Sequence, residues 1–279
     1  MKHTLTAVKY VLMAAIAIIS IIPIVWMVFG SLRPYQELFK YSATLNIHML
    51  IPVEFTLNNY VNVIFSARNP FLRYIGNTLL VASVVTAGVL VINSMAAFAF
   101  AKLRFPWKPV LFALFMSAMI IPGEVTLVPN YLLMHKLGWL NSYKALIVPS
   151  MLSVFGIFML RQFFAEIPYE IIEAARIDGA SLPRTFLNIV LPAAVPALIT
   201  LGIMTFLGNW DAYLWPLIVI NDQKMQMIQV AISSFSSTEG TDWSKILAAN
   251  TISTVPILLL FLFLQRYYIQ GITMSGIKG

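Results

Sequence analysis

Residues 167–184 read Ile167-Pro168-Tyr169-Glu170-Ile171-Ile172-Glu173-Ala174-Ala175-Arg176-Ile177-Asp178-Gly179-Ala180-Ser181-Leu182-Pro183-Arg184, a polar stretch between two long apolar runs at 143–164 and 189–209. Pro168 suits the first turn of a helix, where its missing N–H costs nothing. Ile171, Ala174 and Ala175 fall at i, i+3 and i+4 and give that helix one apolar face, with Glu170, Glu173, Arg176 and Asp178 around it. Gly179 suits the left-handed conformation that ends a helix. Ser181 suits the cap of a second short helix with Pro183 in its first turn. The stretch reads as helix, glycine turn, helix, then a return to apolar sequence at Ile189. From the residues alone two uses fit it equally. One is a rigid lever docked on another surface, which the small Ala side chains let approach closely. The other is an amphipathic helix lying on lipid headgroups.

Outward from this loop the chain is apolar almost throughout. Of its 279 residues 59% are hydrophobic and 10% are charged, and the mean hydropathy is +0.83. A soluble domain is about half apolar and about a quarter charged. Water is therefore not the solvent for most of this chain, which excludes a soluble enzyme, a nucleic-acid-binding domain and a disordered tail. A bilayer core of about 30 Å needs roughly 20 mostly apolar residues per helix. Six stretches meet that need, at about 10–32, 74–100, 107–128, 143–164, 189–209 and 246–264. Long continuous runs favour helices over barrel strands, so the expectation is an all-α integral membrane protein forming one transmembrane domain over 1–279. The first run follows Lys2 and Lys9 but is too long for a signal peptide. It ends at Gly30-Ser31-Leu32-Arg33 without a small-x-small site, and reads as a retained anchor.

The formal charge of +7 comes from loop cations and sets the orientation. With the N-terminus inside, the inner segments hold Lys2 and Lys9, then Lys102, Arg104 and Lys108, then Arg161, Arg176 and Arg184, then Arg266 and Lys278. The outer segments hold slightly fewer: Arg33, Lys40, Arg68, Arg73, Lys136, Lys144, Lys224 and Lys245. The short run Lys102-Leu-Arg104-Phe-Pro-Trp-Lys108 has three cations and no acid, and it tips the reading to both termini inside. The longer outer segments, 33–73 and 210–245, hold most of the remaining polar residues, among them Ser233-Ser234-Phe235-Ser236-Ser237-Thr238-Glu239-Gly240, a loop composition.

Chemistry inside the spans is sparse. His3, His48 and His135 all lie in loops, and the absence of Cys excludes thiol catalysis and thiolate metal sites. No H-E-x-x-H and no G-x-x-x-x-G-K-[ST] phosphate loop is present, so this chain is not expected to hydrolyse ATP. Glu124 is the only carboxylate inside a span. An intramembrane charge is a candidate site; the plainer reading is that Pro122-Gly123 breaks the helix and leaves Glu124 at its wet end.

Glu173-Ala174-Ala175, followed at fixed intervals by Gly179, Ile189 and Leu191-Pro192, matches without a gap the EAA motif of ABC-importer permeases. The resemblance runs over almost the whole chain and points to the carbohydrate-uptake subfamily, specifically to its shorter, maltose-type second permease. It includes Asn77-Thr78-Leu79, Ala96 through Ala101 with Leu103-Arg104-Phe105, Ile121-Pro122, Val128-Pro129 and Leu137-Gly138 to Asn141. It continues through Arg161-Gln162-Phe163-Phe164 with Ile167-Pro168, Trp210-Asp211 with Leu214-Trp215-Pro216-Leu217, and Gln265-Arg266-Tyr267 with Gly271 and Lys278-Gly279. Two departures stand out: Asp211, where the family more often has Asn, and Met225-Gln226-Met227-Ile228-Gln229, where it more usually has a Thr-Leu-Pro-like stretch.

The resemblance implies the six-helix fold of a type I ABC importer permease in a bacterial cytoplasmic membrane. It implies that the loop at about 165–188 is a coupling helix seated on a cytoplasmic ATPase. Its partners would be a second permease, two ATPase domains and an extracellular or periplasmic sugar-binding protein, with lipid around it. No cofactor is expected in this chain; ATP and magnesium would sit on the ATPase. The coupling residues implied are Glu173, Ala174, Ala175, Asp178 and Gly179. The tail from Gln265 either reaches the same interface or frays. Asn93, Ser94, Asn209, Trp210 and Asp211 are candidates for a polar sugar pathway, since amides and aromatic faces suit sugar rings. Interhelical hydrogen bonding for Asn93 and an interfacial belt for Trp210 and Trp215 are the structural alternatives. A polyol or glycerol phosphate importer is the second reading. A membrane scaffold or receptor without transport is the third, and an intramembrane enzyme is disfavoured by the missing carboxylate pair.

Overall fold

A computed structural model describes residues 2–41, 46–66, 70–237 and 240–276. Arg68, Thr238, Glu239, Lys278 and Gly279, which entered the readings above, lie outside the described residues. The elements run in order α1 (Lys2–Ser31), α2 (Tyr35–Leu38), α3 (Asn58–Ile64), α4 (Phe71–Lys102), α5 (Lys108–Ser117) and α6 (Gly123–Lys136). They continue with α7 (Tyr143–Ile147), α8 (Val154–Glu166), α9 (Tyr169–Ile177), α10 (Leu182–Thr185), α11 (Leu191–Ala193), α12 (Val195–Trp210), α13 (Leu214–Val219), α14 (Ile228–Ser233) and α15 (Trp243–Gly276). One antiparallel pair, β1 (Ser236–Ser237) with β2 (Gly240–Thr241), interrupts the helices.

Among the described residues, four helical segments are long and apolar enough to cross a membrane: Val8–Ser31, Phe71–Lys102, Tyr143–Glu166 and Trp243–Phe263. Two further spans are broken, and six result when each bent pair counts as one. The expected third span, 107–128, turns through 101° between Lys108–Ile120 and Gly123–Lys136. Pro122 has no N–H to continue the helix and pushes Ile121 to an extended conformation (φ −78°, ψ 116°). The expected fifth span, 189–209, starts earlier, at Leu182, and bends by 79° between Leu182–Ala193 and Val195–Trp210. Pro196 removes the hydrogen bond that would reach back to Pro192, and the helix breaks between them at Ala194 (φ −107°, ψ 15°).

The residues cluster into two compact units, Met1–Ile75 with Val230–Leu258, and Gly76–Gln229 with Leu259–Gly279. In the first, the apolar side chains of α1 such as Val11, Ile16 and Ile19 lie exposed, as a lipid-facing or partner-facing helix requires. Beyond α1 a polar knot forms. Asn59 Nδ2 donates to the carbonyls of Ser31 at 2.8 Å and Arg33 at 2.7 Å. The Glu37 carboxylate accepts from the N–H groups of Val53 at 2.8 Å and Glu54 at 3.0 Å. Arg33 is buried within this knot; desolvation draws its guanidinium below the usual arginine range, against the opposing pull of Glu37.

In the second unit Val81, Val85 and Val89, one helical turn apart on α4, form the core with Leu160 and Phe164 of α8 and with Ala197 and Leu201 of α12. Gly88 lets α4 approach the turn at residues 149–151 closely: a Cβ there would lie 2.7 Å from Met151 Cγ. Five residues further along α4, Asn93 is fully buried. It donates to Val89 O at 2.7 Å and Met151 O at 3.2 Å, and accepts from Ser153 N at 3.0 Å.

Candidate functional site

The hairpin after α8 is built by local sequence. Ile167 is extended, Pro168 caps α9 from outside the helix rather than inside its first turn, and α9 ends in a full glycine motif. Gly179 N donates to Arg176 O at 3.0 Å and Ala180 N to Ala175 O at 2.9 Å, with Gly179 at φ +79°. This paired closure is the Schellman arrangement, and the left-handed residue inside it is nearly always glycine because a Cβ crowds its own backbone there. Ser181 stands at the cap of α10, as its position suggested, yet its side chain makes no capping bond. Its carbonyl accepts instead, from Thr185 N at 2.9 Å and Thr185 Oγ1 at 3.1 Å.

The face that α9 buries differs from the expected one. Ile172 and Ala175 point inward and Ile172 joins the core, whereas Ile171, Ala174, Asp178 and Glu173 are exposed. Positions 172 and 175 satisfy the i, i+3 spacing as well as 171 and 174 do, so the helical period left both faces open. As a result Ile171, Ala174, Ala175 and Asp178 line one wall of a groove of about 300 Å3. Its other wall is Ala180, Arg184, Asn188 and Ile189, beyond the glycine turn. Small side chains on the floor and one charge of each sign at the rim make a concave, oriented receptor for a protruding partner side chain. Ile177, at the tip, is 87% exposed.

The other candidate positions are scattered. Ser94 is buried and donates to Val91 O at 3.0 Å, and with Asn93 it forms part of the helix packing, with little surface open. Asn209 is half-buried and donates to Thr205 O at 2.8 Å. Trp210 is fully buried, stacked on Phe206 with ring centroids 5.8 Å apart, and its Nε1 has no partner among the described residues. Burial removes it from an interfacial belt; Trp215, half-buried, donates its Nε1 to Ala145 O at 2.9 Å. Asp211 is exposed and accepts from Gln229 Nε2 at 3.3 Å. Glu124 is exposed in the first turn of α6, where a carboxylate meets the positive end of the helix. A separate cavity of about 360 Å3 lies among Thr86, Leu90, Leu198, Ile199, Gly202 and Phe206. Its accessible lining is apolar, with the Thr86 hydroxyl buried behind it, which suits an acyl chain or a helix better than a sugar.

Asn77 and Thr78 have a task that their residue types alone do not reveal. Asn77 Nδ2 donates to the carbonyls of Lys224 and Gln226, both at 2.9 Å, and its Oδ1 accepts from Tyr143 Oη at 2.8 Å. Thr78 Oγ1 accepts from Ile228 N at 2.9 Å. The 225–229 stretch that departs from the family pattern is thus gripped by its backbone, while Met227 and Ile228 within it are also fully buried.

Residues 4–274 match the family of binding-protein-dependent transport system inner membrane components. The chain belongs to that family. This permease is 32% identical over 266 residues to the arabinooligosaccharides transport system permease protein AraQ of Halalkalibacterium halodurans, covering 95% of this chain and 94% of the relative. It is 31% identical over 284 residues to the trehalose/maltose transport system permease protein MalG of Thermococcus litoralis, covering 100% and 98%. It is 34% identical over 244 residues to the sn-glycerol-3-phosphate transport system permease protein UgpE of Escherichia coli, covering 86% of each. Its fold matches the crystal structure of a bacterial ABC transporter involved in alginate import at a TM-score of 0.82, with 20% identity and 95% and 97% of the two chains covered. The permease is therefore a multi-pass subunit of the inner membrane in an ABC importer that works with a binding protein, and ATP hydrolysis resides in a separate subunit.

Proposed function

We propose that the permease imports a sugar or oligosaccharide, with the α9–α10 hairpin on the cytoplasmic side as the handle through which the ATPase moves it. The observation that carries the coupling part is the groove beside α9. Its small Ala174 and Ala175 side chains, the first exposed and the second mostly buried, its Asp178 and Arg184 rim and the rigid Gly179 closure form one preshaped surface. On this reading both termini are cytoplasmic, the whole chain acts as one permease domain, and the partners are a second permease, two ATPase domains binding ATP and magnesium, and a binding protein on the outer side. Glu173, Ala174, Ala175, Asp178 and Gly179 carry the contact.

The energetics set a requirement. Turning an inward-to-outward ratio of 99:1 into 1:99 needs about 5.5 kcal/mol of differential binding. One short helix transmits that bias only when it moves with its partner as a rigid body. Closure of the ATPases on ATP would draw the hairpins together and open the pathway outward, and hydrolysis would reset it.

Support for a sugar cargo comes from the relatives named for arabinooligosaccharides and trehalose/maltose. Of the candidate pathway residues, Asn209 and Asp211 retain open polar surface, while Asn93, Ser94 and Trp210 are enclosed and would act by holding helices in place. A glycerol phosphate cargo has its own support in the similarity to UgpE, but a dianion needs cations beside it, and Asp211 is of the wrong sign. Reconstitution with the partner subunits decides between them. Neutral oligosaccharide with its binding protein should stimulate ATPase activity severalfold and glycerol phosphate should not. Stimulation by glycerol phosphate alone would reverse the assignment, and no stimulation by any cargo would favour a scaffold.

A further inference from the structure

We propose that Lys102 is a positioning residue that fastens the junction between α8 and α9, the root of the hairpin, to the end of α4, so that motion of that junction is delivered to α4 as well as along the chain. The proposal rests on the coupling reading above and extends it to a part of the chain outside the EAA motif.

The geometry begins at Pro168. The last carbonyls of a helix have no partner within it, and the proline after Ile167 supplies no N–H to approach them. Lys102, the last residue of α4, is buried. Its Nζ donates to Ala165 O at 3.3 Å and to Ile167 O. A buried ammonium is tolerated only when its donors are used, and the negative end of α8 is where a cation is best placed. The grip is on the near side of Pro168.

A second contact holds the far side. The Arg104 guanidinium lies 5.8 Å from the centre of the Tyr169 ring, the first residue of α9; this is a cation–π contact at about the limit of its useful range. The stretch 102–104 thus touches the chain on both sides of its obvious hinge. It is itself stiffened by Lys108, whose Nζ donates to Leu103 O at 2.9 Å and Ala101 O at 3.4 Å. A swing of α9 about Pro168 must either break the Arg104–Tyr169 contact or pull α4 along. A movement of the α8–α9 junction pulls on Lys102 itself, and α4 supplies Val81, Val85 and Val89 to the core.

The test uses the assembled transporter in lipid vesicles. Two quantities are read together, each in an Ala174→Cys background: cargo transported per ATP hydrolysed, and crosslinking of position 174 to the ATPase. Lys102→Met keeps the aliphatic stem and removes the donors. It should retain the crosslink and ATP hydrolysis while transport per ATP falls roughly tenfold, within the span usual for coupling between sites, and Lys102→Arg should recover most of it. Arg104→Ala, an exposed position, should lower the ratio by about threefold and supplies the reading if Lys102→Met does not assemble. Unchanged transport per ATP in every variant that assembles, with the crosslink present, would overturn the role of Lys102 while leaving the coupling surface intact. Absence of the crosslink in the Ala174→Cys protein with Lys102 and Arg104 intact would overturn the coupling reading itself, and this proposal with it.

Discussion

Asn77 shows how much one side chain settles in this protein. Its amide carries two donors and one acceptor carbonyl, and all are used: two backbone carbonyls from the 224–226 segment and the Tyr143 hydroxyl. Replacing it with Ala leaves those carbonyls and that hydroxyl to find other partners in a position that is 7% exposed. Each unpaired buried group costs about 1–3 kcal/mol, so Asn77→Ala should destabilise the purified protein by about 2–4 kcal/mol, seen as a lower Tm in detergent. Asn77→Asp separates the geometry from the size of the side chain. A carboxylate donates to neither carbonyl, so this nearly isosteric change should cost at least as much as Ala. An unchanged Tm for both variants would show that the clamp contributes nothing to stability. Asn93 makes the same point inside the membrane, where its amide joins α4 to Met151 and Ser153. Nothing in the residue type separates such a tie from a pathway lining, which is why both readings of Asn93 stood open until burial was visible.

At the scale of elements, the spans were legible because hydrocarbon imposes a length and a composition on any helix that crosses it. The glycine turn at 179 was legible because so few residues adopt its φ. The bends were not. Pro122 was legible as a breaker and Pro196, inside a run read as one unbroken span, was not. A proline in an apolar run fits a kink, a short gap or a reversal, and only the surrounding packing chooses 101° or 79°. The buried face of α9 was missed for a related reason: two apolar faces shared one spacing. Close helix approach is equally hidden in sequence, and Gly88 is its clearest instance. A Cβ there would lie 2.7 Å from Met151 Cγ and 2.9 Å from its Cε, so Gly88→Ala should lower stability by about 1–3 kcal/mol through overpacking. Methionine is flexible, and trimming it makes room. Gly88→Ala combined with Met151→Ala should therefore lose less than the two single costs added, a coupling measurable as a double-mutant cycle of Tm or denaturant midpoint. Strict additivity would mean that the contact carries no energy.

At the scale of the whole molecule, a permease that lacks its own ATPase is a device for linking two binding equilibria, and linkage constrains it quantitatively. If the ATP-bound state of the motor raises the affinity for the loaded binding protein by some factor, the loaded binding protein raises the affinity for nucleotide by the same factor. Both factors must pass through the hairpin if α9 is the handle. Gly179 is the place to cut that path. No heavy atom lies within 4 Å of a Cβ built there, so Gly179→Trp projects its ring outward, where a docked partner would sit, and the local cost is confined to a strained turn of about 1–2 kcal/mol. With a non-hydrolysable ATP analogue, both factors measured by titration on the reconstituted complex should drop together toward one, while membrane insertion is unchanged. Gly179→Ala carries the same backbone strain without the bulk. It should retain most of the coupling, which separates loss of docking from loss of the turn. A Gly179→Trp complex that keeps both factors and transports normally would place the mechanical link elsewhere in the chain.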